Sequence, residues 1–260
     1  MVKQQQICPF RPQLLMFPIA LLTCSPVPFY LFPSSPVPLF PSLCGEIEVV
    51  AFSQAGTKRL LTALIAEAAA CRRCPAMCER TAVLSDANGS VSARVLFIGE
   101  APGRKGADRT RIPFSGDQSG KNLDRFIASI GLTRAKIFIT SAALCNPRNP
   151  SGANRKPARF ELENCAEFLR RTVELIDPRV VVTLGSVALE SLKRIKSHEL
   201  ILKEAVGKVY EWDGRLLVPI YHPSPQVLAS HRREPAQLQD YLVVARAIDT
   251  LGEVHRREAQ

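Results

Sequence analysis

Four short runs in the chain are apolar at nearly every position: Val95–Ile98, Lys136–Thr140, Val180–Leu184 and Leu216–Tyr221. Runs of this length, rich in Val, Ile, Leu and Phe, read as strands, and an unbroken apolar run points to burial on both faces. Stretches with apolar residues at helical spacing separate them, at Ser119–Ile130, Arg159–Ile176 and Ser186–Ile195, and a further one at Gln237–Leu251 closes the pattern. Ahead of the first strand, "KRLLTALIAEAAACRRC" from Lys58 has the same helical spacing and carries Cys71 and Cys74 at or near its end. Strands that alternate with helices predict an α/β fold, a three-layer α/β/α domain around a central, mainly four-stranded parallel sheet.

That pattern covers residues 58–260, whereas residues 1–57 differ in kind. Residues 1–45 hold nine of the 20 prolines and no acidic residue. Proline at that density blocks helix interiors and sheet ladders alike. The apolar run 14–22 is interrupted by Pro18 and too short to span a bilayer, and no small-residue cleavage site follows it. The segment is expected to be a disordered extension or an over-long start of the reading frame. The folded part is expected to be cytoplasmic, nucleoid-associated in a prokaryote, monomeric and free of the membrane.

In a sheet of this kind, ligands bind beyond the carboxyl ends of the strands, and the unusual residues of the chain fall there. The first strand runs into "GEAPGRKGADRT", the second into "SAALCNP", the third into "GS" and the fourth into "YHPSPQ". The net charge of +10 and a pI near 9.4 favour a polyanionic partner, nucleic acid first. Of the eight cysteines, Cys71 and Cys74 form a CxxC, and Cys145 and Cys165 flank an irregular loop. Four thiolates hold zinc or a 4Fe–4S cluster equally well on ligand count.

These motifs, "GEAPG", "RIPFSGDQSG", "FITSAALC", "NRKPARFELENC" and "YHPSPQ" behind an upstream CxxC, resemble the uracil-DNA glycosylase superfamily. The resemblance runs from about residue 65 to 251 and is closest to the two iron–sulfur branches, families 4 and 5. It implies a structural 4Fe–4S cluster on Cys71, Cys74, Cys145 and Cys165, with DNA containing uracil or another deaminated base as the partner. Glu100 in "GEAPG" looks like family 4, where the acid positions the attacking water. "KGADRT" and "HPSPQ" look more like family 5, where a residue at the place of Asp108 has been given a water-polarising role. Family 4 carries asparagine where this chain has Ser141, a departure that bears on uracil selectivity.

Hydrolysis of an N-glycosidic bond builds positive charge on the sugar and negative charge on the departing base, so donors aimed at the developing anion are central. The expected catalytic set is Glu100, Asp108 and His222, with the imidazole facing O2 of the leaving uracil. The bland alternatives are a turn-capping histidine and acids paired with Arg104 or Arg109. Gly99, Ala101, Pro102, Phe114, Ser141 and Asn154 are the expected base-binding residues, Phe114 stacking on a base taken out of the duplex. Arg109, Pro223, Ser224, Pro225 and Arg232 are expected to meet the DNA backbone, with Leu228 or a neighbour as a wedge. The competing reading is a non-catalytic iron–sulfur protein that binds nucleic acid. A nucleotide hydrolase is disfavoured, because "GEAPGRKG" lacks the Lys-Ser/Thr ending of a P-loop.

Overall fold

The computed structural model describes residues 54–258 of the chain. Nearly all of the proline-rich segment lies outside the described residues. A helix, α1 (Gln54–Ala70), precedes the first strand, β1 (Val95–Gly99). A short helix α2 (Ala107–Thr110), α3 (Gln118–Ser129), β2 (Ile137–Ser141) and α4 (Arg159–Ile176) follow. Next come β3 (Val180–Leu184), α5 (Ser186–Ser191), α6 (Leu202–Ala205), β4 (Tyr210–Trp212) and β5 (Arg215–Ile220). The helices α7 (Pro225–Ser230) and α8 (Glu234–Glu258) complete the order.

The sheet has five strands in the order β2-β1-β3-β5-β4. The first four are mutually parallel, and β4 joins the edge of β5 antiparallel. The extra strand departs from the expected four. In "YEW" only Trp212 is buried, so the segment offers no apolar run to read. Helix α1 starts at Gln54 rather than Lys58, α5 gives way to a 3-10 turn at Leu192–Arg194, and α8 is longer at both ends than 237–251.

Every residue of β1, β2 and β3 is buried. Alternate side chains enter two separate cores, as strand geometry requires. Leu96, Ile98, Phe138, Val181 and Leu217 meet Leu61 and Leu64 of α1, Leu162, Phe168 and Leu169 of α4, and Val187 of α5. Val95, Phe97, Ile137, Ile139, Val182 and Val218 meet Leu123, Phe126 and Ile127 of α3 and Tyr241 and Val244 of α8. A helix-covered sheet on both faces is the three-layer arrangement. Its register puts Gly99 beside Ser141 and Leu184 beside Ile220, so the strand ends lie level and their loops share one rim. Among the described residues, no helix is long and apolar enough to cross a membrane.

Candidate active site

The rim encloses a cavity of about 410 Å³, lined from the β1 loop by Glu100, Ala101, Pro102 and Gly103, and from β2 by Ser141. Phe114 and Asp117 close one side, Asn146, Asn154 and Arg155 another, and His222, Ser224 and Val227 a third. A volume of this order suits a small ligand. Gly99 lies beneath the cavity wall. A Cβ at this position would come within 2.7 Å of Phe114 Cε2, so glycine lets the ring rest on the end of β1.

Two groups in the cavity are ionisable and have no hydrogen-bond or ion-pair partner among the described residues: the Glu100 carboxylate and the His222 imidazole. Burial raises the Glu100 pKa, and Lys156 opposes that only in part. Burial likewise pushes His222 down to about 4, against an opposing pull from the Asp117 carboxylate. The imidazole is therefore neutral near pH 7, with one ring N–H to donate. The Phe114 ring lies against it, with centroids 5.4 Å apart and planes inclined at 35°. Two contacts hold the turn after β5. Asn122 Nδ2 donates to the Pro223 carbonyl at 2.8 Å, and Gln237 Nε2 donates to that of His222 at 3.3 Å. The Ser224 hydroxyl caps α7 by accepting from the Val227 amide.

Several expected site residues stand elsewhere. Asp108 does not line the cavity. It is buried, its Oδ2 accepts from Arg148, and its Oδ1 lies 3.6 Å from Arg111. The charge that "KGADRT" was expected to aim at water is spent on an arginine 40 positions away in sequence. Arg232 is not an open phosphate contact, because Nε and Nη2 donate to the buried Asp240 carboxylate at 3.0 and 2.6 Å. Leu228 is partly buried, one side of it packed against the α3–α8 core. Pro223 is buried, Pro225 is exposed at the start of α7, and Arg109 is exposed on α2.

Asn154 reaches the cavity, but its Oδ1 already accepts from the Arg104 amide and from Asn146 Nδ2, both at 3.0 Å. Asn146 is the residue that sequence reasoning missed. It is 1% exposed. Its Nδ2 also donates to the Pro102 carbonyl at 2.6 Å, while its Oδ1 accepts from Arg148 Nε at 2.5 Å. One amide thus ties the β1 loop to the loop after β2. Arg155, also missed, is held by a bidentate pair with the fully buried Glu161. Asp117, likewise missed, caps α3: its Oδ1 accepts from the Gly120 amide at 2.9 Å.

The four cysteines converge beside this network. Burial pushes the Cys145 thiol up to about 12, and the charges of Cys165, Cys71 and Cys74 push in the same direction. Cys165 is raised to about 11, first by burial and then by Cys74 and Cys71. Cys165 lies in the core between the sheet, α1 and α4, and Cys71 packs against that core. Asn164 Nδ2 lies 3.4 Å from Cys74 Sγ. Among the described residues, no three His, Cys, Asp or Glu side chains are grouped to hold a single metal ion.

The profile of the uracil DNA glycosylase superfamily matches residues 87–245. The chain belongs to that superfamily. The match takes in β1, β2, β3 and β5 and every lining residue of the cavity. A type-4 uracil-DNA glycosylase of Archaeoglobus fulgidus is 35% identical over 176 residues, covering 66% of this chain and 85% of the relative. The type-4 uracil-DNA glycosylase of Thermotoga maritima is 32% identical, over 59% of this chain and 76% of its own length. A type-5 uracil-DNA glycosylase of Pyrobaculum aerophilum is 31% identical, over 66% and 73%. Type-4 and type-5 uracil-DNA glycosylases are therefore both similar to this chain.

Proposed function

We propose that the protein is a DNA repair glycosylase that hydrolyses the N-glycosidic bond of uracil in DNA and leaves the strand intact. The observation that carries this is the pair of unpartnered groups, Glu100 and His222, on one cavity with Phe114 beside them. A target nucleotide leaves the stack and its base lies on the Phe114 ring. The neutral His222 donates to O2 as negative charge develops on the base, and no desolvated cation has to be maintained for that task. Glu100 orients a water towards C1′ and offsets the oxocarbenium charge. The C1′–N1 bond breaks with its electron pair on the base, a C1′–O bond forms from the water, and the water's proton passes to Glu100. The Ser141 hydroxyl has no partner among the described residues. It rotates to donate or accept, so it holds the O4 and N3–H edge of uracil less selectively than a fixed amide. The reading therefore extends to a second deaminated base, hypoxanthine first.

A 4Fe–4S cluster on Cys71, Cys74, Cys145 and Cys165 belongs to the same reading. A cubane bonds each thiolate to a different iron, so its ligands stand farther apart than those of one ion. Four free thiols from the CxxC, the loop after β2 and α4 supply the ligand number such a cluster needs. The cluster would supply charge neutralisation and a staple for three chain segments, and the reaction needs no electron from it.

The test is excision from duplex and single-stranded DNA carrying uracil, hypoxanthine or xanthine, scored as strand breaks after alkali. Uracil release without scission before alkali is expected, with a weaker hypoxanthine activity that Ser141→Asn diminishes relative to uracil. Binding without release of any base would overturn the reading.

A further inference from the structure

Phe114 sits in a backbone conformation that its side chain disfavours. Its φ is 51°, in the left-handed region where a bulky residue is an outlier. Such a residue persists only where its surroundings over-determine it. Below the ring, the end of β1 leaves room only because residue 99 is glycine. Behind the carbonyl, a Cβ at Gly120 would come within 2.1 Å of Phe114 O, so the first turn of α3 packs directly on the strained peptide.

The third contact comes from Arg134, just before β2. Its Nη1 donates to the Pro113 carbonyl at 2.8 Å and its Nη2 to the Phe114 carbonyl at 2.5 Å. Its Nε donates to Asp124 Oδ1 at 2.7 Å. Three donors of one planar group are thus fixed, two of them on successive carbonyls. A guanidinium fork spans such a pair and an ammonium does not. The side chain is 33% exposed, and lysine keeps most of its aliphatic stem, so Arg134→Lys removes the fork with little packed volume.

We infer that Arg134 is a positioning residue for the base pocket: it grips the carbonyls of Pro113 and Phe114 and so fixes the strained turn that presents the Phe114 ring to the flipped base. The inference rests on the reading of Phe114 as the stacking surface proposed above. Released from the fork, residue 114 relaxes towards negative φ, and the ring leaves both Gly99 and His222.

The experiment compares single-turnover uracil excision by the full chain, Arg134→Lys, Phe114→Ala and the double variant. Arg134→Lys should slow the step roughly tenfold to a hundredfold, the population change that corresponds to the usual cost of a non-glycine residue in this region. DNA affinity should change less than about threefold, since phosphate contacts dominate it. The double variant should be no slower than Phe114→Ala alone, because the two act through one ring. Multiplied losses in the double variant would overturn the inference. Asp124→Ala, which removes only an exposed brace of the guanidinium, should give a smaller loss that also vanishes in the Phe114→Ala background.

A second measurement does not depend on activity. With 4-fluorophenylalanine incorporated, the resonance lost in Phe114→Leu reports on the ring beside His222. In folded Arg134→Lys that resonance should move. An unmoved resonance overturns the inference whatever the enzyme does. A moved one with a wild-type chain inert on uracil upholds the clamp and overturns the proposed function instead.

Discussion

His222 and Glu100 are shifted in opposite senses by one cause, burial, because each is pushed towards its uncharged form. For His222 the consequence can be stated for rate and for stability. His222→Ala should lower single-turnover excision by roughly two to three orders of magnitude, the usual cost of losing one anion-facing donor, while DNA affinity stays close to that of the wild type. A near-normal rate would make His222 a turn residue only. For stability the folded chain resists a proton that the unfolded chain accepts. The contribution from His222 is thus complete above its unfolded value of 6.5 and is lost as the pH falls from there to about 4. Denaturation followed across that window should show a steeper decline for the wild type than for His222→Gln. Glu100 sets an acid limit on the rate as well, since excision should fall with decreasing pH at values above the ordinary carboxylate range.

At the scale of elements, the chain hides whatever depends on a distant partner. The span of α4, Arg159–Ile176, is legible because eighteen residues keep one helical period. The strand ends are legible because each apolar run stops at a residue with a different chemistry, such as Gly99 or His222. By contrast, nothing local distinguishes Asp108, which pairs with Arg148, from Glu100, which stays unpartnered. Both are acids between β1 and α3, and only the folded loop after β2 separates them. Asn146 is invisible for the same reason, with acceptors at Pro102 and Asn154 on two different loops. Arg232 reads as part of a basic run until Asp240, nearly two helical turns into α8, claims it. The cysteine-bearing loop brings these tethers together, so its anchor is testable. Anaerobically prepared protein should contain four irons and absorb broadly in the blue. Cys145→Ala should lose that absorption and melt earlier, because a loop held at both ends becomes held at one. Stoichiometric zinc without iron would refute the cluster.

For the whole molecule, the net charge of +10 makes association with DNA salt-dependent whatever the cavity selects. The family match begins at residue 87, far beyond the proline-dense segment, which has no acid before Glu46 and no period to pack. Removal of residues 1–50 should therefore leave excision unchanged, and a soluble truncated protein that no longer binds DNA would assign that segment a part in recognition. The antiparallel edge strand carries a practical corollary. Its turn into β5 is made by Asp213 and Gly214, with φ of 50° and 71°, the paired positive values of a tight two-residue hairpin. Because β5 runs parallel to β3, this turn lies at the end of the sheet opposite the cavity. A fluorophore or surface tether attached there would sit a full strand length from the DNA, giving single-molecule measurements a handle that does not compete with the substrate.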